Sequence, residues 1–269
     1  MRNKKNHERT LDTMTRVIAF VNQKGGVGKT TSTVNVGAGL ALKKRKVLLI
    51  DLDPQANLTT AVLGRKQALA IEDSVGDILL DQKDFDTVLL SLDDYDVLPA
   101  TKMLSKTSRD ILSEVGNSNI LKRQIAKEID QYDYVLLDCP PSLDILTVNA
   151  LTLASEVFIV LQCEYFALEA MGKIVEHVET IKKAFENPLT ITGVIPTFHN
   201  NRKRLNQDVL SAAEDFFPTQ VFNTRIRENI ALSEAQGQGK HIFSYQKNSQ
   251  GASDYMDLVS EIIKQERTL

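Results

Sequence analysis

From residue 16 onward, short apolar runs alternate with longer stretches in which apolar residues recur at helical spacing. The runs predict strands over 17–21, 47–50, 95–98, 134–137, 157–161 and 189–195, with a short one at 220–222. The amphipathic stretches predict helices over 29–43, 56–63, 103–130 with a break near Gly116, 142–153, 168–184, 205–216 and 253–265. Strands separated by helices need crossover connections. The expected fold is therefore α/β, a mostly parallel sheet flanked by helices on both faces. Ligands of such sheets sit at the carboxyl ends of the strands, so the loops that follow the strands carry the chemistry.

Length and composition narrow the class without naming a function. A chain of 269 residues suits one domain, taken as 16–269, after a flexible polar arm over 1–15 in which Met14 is a second candidate start. The 42% hydrophobic content excludes a disordered chain. No apolar run approaches the roughly 20 residues of a membrane span, and the polar start is unlike a secretory signal. Cys139 and Cys163 cannot make a disulfide scaffold or a paired CxxC zinc site, which points to a reducing cytoplasm. A net charge of −3 gives no global attraction to nucleic acid; Lys43-Lys44-Arg45-Lys46 and Arg202-Lys203-Arg204 are local basic runs.

Three loops hold candidate chemistry. After the first strand, Asn22-Gln23-Lys24-Gly25-Gly26-Val27-Gly28-Lys29-Thr30-Thr31 opens a helix, the setting of a phosphate-binding loop. Its glycines let backbone N–H groups converge on an anion, and the helix adds its positive end. Lys29 would neutralise the outer phosphates, and the Thr30 hydroxyl would hold Mg²⁺. The first glycine of the usual G-x-x-x-x-G-K-[ST] pattern is replaced by Gln23, and Lys24 adds a second lysine. After the second strand, Asp51-Leu52-Asp53-Pro54-Gln55 places two carboxylates on one side. Asp53 suits orienting a water or an ion's water shell, and Asp51 suits fixing the loop or the metal's ligands. After the fourth, Tyr134-Val135-Leu136-Leu137-Asp138-Cys139-Pro140-Pro141 delivers Asp138 to a strand tip, where it can serve Mg²⁺. Cys139 is expected to be a small buried residue.

Lys24-Gly25-Gly26-Val27-Gly28-Lys29-Thr30 resembles the deviant Walker A box of the ParA/MinD ATPases, and Asp51-Leu52-Asp53-Pro54-Gln55 and Asp138-Cys139-Pro140-Pro141 resemble that family's later motifs. The likeness extends through Gly193-Val194-Ile195-Pro196-Thr197 and Ile226-Arg227-Glu228-Asn229-Ile230, and the Pro-Pro pair is typical of the partition branch. It implies a P-loop NTPase fold, Mg²⁺-dependent hydrolysis of ATP, and a dimer with two ATP molecules sandwiched between protomers. Lys24 would reach the partner's nucleotide in trans, Asp53 would position the water, and Thr30, Asp53 and Asp138 would serve the metal. The loop from Lys24 to Thr31 would bind phosphates, with Pro196 and Thr197 lining the adenine pocket.

The partition branch further implies binding to nonspecific double-stranded DNA, release by a ParB-like centromere-binding adaptor, and a cytoplasmic, nucleoid-associated location. Candidate DNA contacts are Lys203, Arg204, Arg225, Arg227, Lys240 and Lys247, with Arg202 beside them. Relatives often carry Pro at position 227 and a base near Ser244, Asn248 and Gln250, so these contacts do not transfer residue by residue. Two other readings are a MinD-like membrane-positioning ATPase and a nucleotide-switched regulator with negligible turnover. Against the first, the C-terminal stretch carries Asp254, Asp257, Glu261 and Glu266 against Lys264 and Arg267. Against the second stand Lys29, Asp53 and Asp138. Fifteen residues leave no room for an N-terminal DNA-reading domain.

Overall fold

The computed structural model describes residues 14–164 and 167–266; most of the expected N-terminal arm, and Arg267, lie outside the described residues. Seven strands run in chain order as β1 (Arg16–Val21), β2 (Val47–Asp51), β3 (Leu90–Ser91), β4 (Asp96–Leu98), β5 (Tyr134–Asp138), β6 (Glu156–Gln162) and β7 (Thr190–Thr197). They form one sheet in the order β3-β4-β2-β5-β1-β6-β7, parallel throughout except for β3. The central strands are buried on both faces, as a parallel sheet covered by helices must be. Leu48, Ile50, Val135 and Leu137 feed one core layer; Ile18, Phe20, Leu49 and Leu136 feed the other.

Register positions the chemistry. Asp51 pairs with Asp138, and Phe20 pairs with Asp138 on the other side. By strand alternation both carboxylates share the face of Leu49 and Leu136, where helix α1 (Lys29–Leu42) packs. Helix α2 (Asn57–Leu63) follows the β2 loop on that same face.

The region predicted as helical over 103–130 with a break near Gly116 is a set of short pieces, Leu104–Asp110 and Ile120–Ile125 with 3₁₀ turns between, and the break does fall at Gly116. The expected strand at 220–222 is a single bridge from Val221 to Val194. The last helix starts at Gln250, three residues earlier than its periodicity suggests, because the Ser249 side chain caps Ala252 N–H. Its apolar face, Tyr255, Leu258, Val259 and Ile262, is buried against the core and is not offered to a lipid surface. Among the described residues, no helix is long and apolar enough to cross a membrane.

At the amino ends of the strands, Arg16 makes a bidentate pair with Glu156, both bonds 2.6 Å, and Glu156 also accepts from Thr192. Both ions are buried. Substituting Glu156→Ala leaves the buried guanidinium with only neutral acceptors, among them the Ile262 carbonyl at 2.9 Å, and the expected loss of stability is about 3 kcal/mol, read from the urea midpoint.

Candidate active site

The loop between β1 and α1 curls back on itself with Gly26 and Gly28 at φ of 76° and 93°, a region that side chains with a Cβ rarely adopt. A Cβ on Gly26 would meet nothing within 4 Å, so the space beside the loop at that point is open. Gly28 stands just ahead of the first turn of α1, and no side chain caps that turn. Its free N–H groups and positive end are left for an anion.

A cavity of about 630 Å³ opens over this loop, within the usual range for small-molecule sites. Gly25, Lys29, Thr30, Asp53, Pro141 and Phe198 line it. Thus the predicted residues of the first two motifs meet in one place. Thr31 also faces it, and its hydroxyl accepts from Gln236 at 2.9 Å. Val27 is buried, and its carbonyl accepts from the Thr197 hydroxyl at 2.8 Å. A small annex of about 50 Å³ lies between Thr197, Phe198, Asn229, Leu232 and Tyr255. Pro196, expected to line the adenine pocket, is buried within β7 and lines neither of these two cavities, whereas Thr197 and Phe198 line the annex.

Lys29 is 7% exposed, and its ammonium donates to the Lys24 carbonyl at 3.3 Å. Burial pushes its pKa down, while the carboxylates of Asp138 and Asp53 pull the other way. Thr30 Oγ1 donates to Asp138 Oδ2 at 2.7 Å. Asp138 is fully buried, and its Oδ1 has no hydrogen-bond partner. Burial, with the adjacent Asp51 and with Asp53, pushes its carboxyl up to about 8 against the pull of Thr30 and Lys29. Burial likewise lifts Asp51 to about 6, although Thr59 and the Asp53 amide hydrogen-bond its charged form. Two carboxylates, Asp138 and Asp53, therefore act on one ammonium, with Asp51 behind Asp138. An orphaned acidic oxygen beside a hydroxyl, next to a phosphate cradle, fits a hard divalent cation such as Mg²⁺, which takes few protein ligands and shares phosphate oxygens. Cys139 is buried and its thiol is pushed up by burial, in keeping with a packing role.

Asp53 is 7% exposed; its Oδ1 accepts from Gln55 N–H at 2.9 Å. Asp51 points inward and holds α2. Sequence alone gave no role to Phe198 and Gln236, which line the cavity, or to Asn229, which lines the annex and whose side chain accepts from Ala231 N–H; all three come from beyond β7.

Lys24 points away from its own cavity. Its ammonium pairs with Glu164 and donates to Gln162 Oε1 at 3.2 Å. Among the DNA candidates, Arg225 is held by Glu214 at 2.7 Å and by nearby carbonyls, and Arg227 is gripped by Asp254. Arg202, Lys203, Arg204, Lys240 and Lys247 are exposed and form no ion pair among the described residues.

A family model described as an AAA domain, AAA_31, matches residues 15–191. The chromosome-partitioning ATPase Soj of Treponema pallidum is 41% identical over 252 residues, covering 93% of this chain and 98% of that protein. Among solved structures, cobyrinic acid a,c-diamide synthase from Mycobacterium smegmatis with bound ADP and magnesium aligns with a TM-score of 0.81 at 32% identity, over 95% of this chain and 96% of that one. A putative plasmid partition protein of Borrelia burgdorferi bound to AMPPNP aligns with a TM-score of 0.77 at 25% identity, over 93% of this chain and 99% of that one.

Proposed function

Because the chain belongs to the ParA/Soj family of P-loop ATPases, we propose that it is a Mg²⁺-dependent DNA-partition ATPase whose ATP-bound dimer binds DNA without sequence preference. The observation that carries the reading is the single cavity that brings Lys29, Thr30 and Asp53 over the phosphate loop, with Asp138 bonded to Thr30 beneath it.

In this reading the loop amides from Lys24 to Thr31, with Lys29, hold the phosphates. Thr30 and Asp138 would hold Mg²⁺, with Asp53 on its water shell. When bound, the ion supplies positive charge on the phosphate oxygens. Asp53 orients the attacking water and accepts its proton. Lys24 leaves Glu164 and contributes its charge to the nucleotide of a second copy, where negative charge develops during transfer. A centromere-bound, ParB-like adaptor accelerates hydrolysis and returns the protein to monomers in the cytoplasm, off the nucleoid.

The basic residues without acidic partners, Arg202, Lys203, Arg204, Lys240 and Lys247, are the better DNA contacts. Arg225 and Arg227 already spend their charge on Glu214 and Asp254. Gel shifts with random-sequence duplex test this. Retardation is expected with ATP and Mg²⁺ but not with ADP or without nucleotide. Affinity should fall at least about tenfold from 50 to 200 mM salt. Equal retardation under all three conditions, or none with ATP, overturns the reading.

A further inference from the structure

We infer that Thr59, acting through Asp51, is a positioning residue for the water-orienting carboxylate of Asp53; the inference rests on the role given to Asp53 above. Thr59 sits on α2 and is fully buried, as is Asp51. Both its N–H and its hydroxyl donate to Asp51 Oδ2, at 2.8 and 2.7 Å. The other oxygen, Asp51 Oδ1, accepts from the backbone N–H of Asp53 at 3.1 Å. One carboxylate therefore ties the first turn of α2 to the peptide that carries Asp53. The Thr59 hydroxyl also accepts from Ala100 N–H at 2.9 Å, just beyond β4.

Each hydrogen-bonding group that links Thr59, Asp51, Asp53 N–H and Ala100 N–H belongs to a buried residue and has its partner, so this network has one low-energy arrangement. The loop it restrains is otherwise tied by backbone hydrogen bonds from Leu52 N–H to the Asp138 carbonyl and from Ala56 N–H to the Asp53 carbonyl, neither of which holds the Asp53 side chain. Ala56 stands in a left-handed conformation at φ 52°, and the Asp53 side chain touches only Gln55 N–H. α2 lacks a side-chain cap of its own, so the remote Asp51 carboxylate takes the capping role at Thr59. Removing the hydroxyl leaves Ala100 N–H unpaired and Asp51 Oδ2 with one donor. The carboxylate then keeps only the Thr59 and Asp53 N–H groups and is held less firmly, and the Asp53 peptide bonded to it shifts with it. Misplacement of a catalytic group by about 1 Å costs up to about a hundredfold in rate.

The test is steady-state ATP turnover by the full chain, read as kcat and KM separately, with ATP affinity measured by a fluorescent ATP analogue. Thr59→Val is expected to lower kcat about tenfold with KM and analogue affinity unchanged, because one charge-assisted hydrogen bond is lost and the phosphate loop is untouched. Thr59→Ser, which keeps the hydroxyl, should stay within about twofold of wild type in kcat. If Thr59→Val does not fold, Thr59→Ala removes the same group and carries the test. Wild-type kcat without the hydroxyl overturns the inference, as does an equal loss in the serine variant. Asp53→Ala, run alongside, separates the two claims. If it is inert while Thr59→Val is normal, the positioning role alone falls; if it turns over at full rate, the role of Asp53 falls and this inference with it.

Discussion

Asp53→Ala is expected to hold ATP as tightly as wild type and to turn it over at least about a hundredfold more slowly, the usual weight of a positioned general base. The phosphate grip and the hydrolytic group come from different loops. Lys29 and the glycine curl belong to the segment after β1, whereas Asp53 follows β2 and its side chain bonds only to Gln55 N–H. Removing its carboxylate also removes negative charge from the cavity wall, beneath which Asp138 is already buried, so affinity for the triphosphate should hold or tighten. A turn-collapse explanation is separable from a chemical one. Asp53→Asn keeps an oxygen for Gln55 N–H and preserves the local turn, yet cannot accept the proton of water. Both variants should bind a fluorescent ATP analogue and both should be slow in a phosphate-release assay. Normal turnover in either removes Asp53 from catalysis.

The candidate-site loops were legible because each lies within one contiguous segment at a strand end. Gly25-Gly26-Val27-Gly28-Lys29-Thr30 states its own geometry: glycines where the backbone turns left-handed, lysine and threonine where the helix begins. Asp138 announced itself by ending an apolar strand. What stayed hidden depends on contacts between distant segments. Arg227 looked like a free cation for DNA until the fold set Asp254, 27 residues on, against it. Thr59 reads as an ordinary helix residue, and only the parallel pairing of β2 with β4, which brings Ala100 beside it, reveals that its hydroxyl is used twice. The stretch 103–130 has helical periodicity throughout, but Gly116 and the sharp return needed to reach β5 divide it. β3 is two residues long, too short for any periodicity to mark it.

Lys24→Ala should abolish ATP-dependent dimerisation while leaving ATP bound. In the single chain the Lys24 ammonium is turned outward to Glu164 and Gln162, on the far side of the loop from the cavity that Lys29 enters. It adds nothing visible to the grip on its own nucleotide. Both members of the Lys24–Glu164 pair are about half exposed (52% and 51%), and surface pairs of this kind contribute only about 0.2–1 kcal/mol. A charge-assisted hydrogen bond to a phosphate oxygen in a closed interface contributes about 1.5–3 kcal/mol. The exchange therefore favours the partner's nucleotide once two ATP-loaded copies meet, and Glu164 does not hold the lysine back. Without that lysine, two sets of triphosphate charge would face each other across the interface with one cation fewer on each side. The comparison is cleanest in an Asp53→Ala background, where slow hydrolysis cannot reverse assembly during the measurement. By light scattering with ATP and Mg²⁺, Asp53→Ala should run at twice the monomer mass and the double variant at the monomer mass. A double variant that still dimerises with ATP would show that Lys24 does not act across the interface.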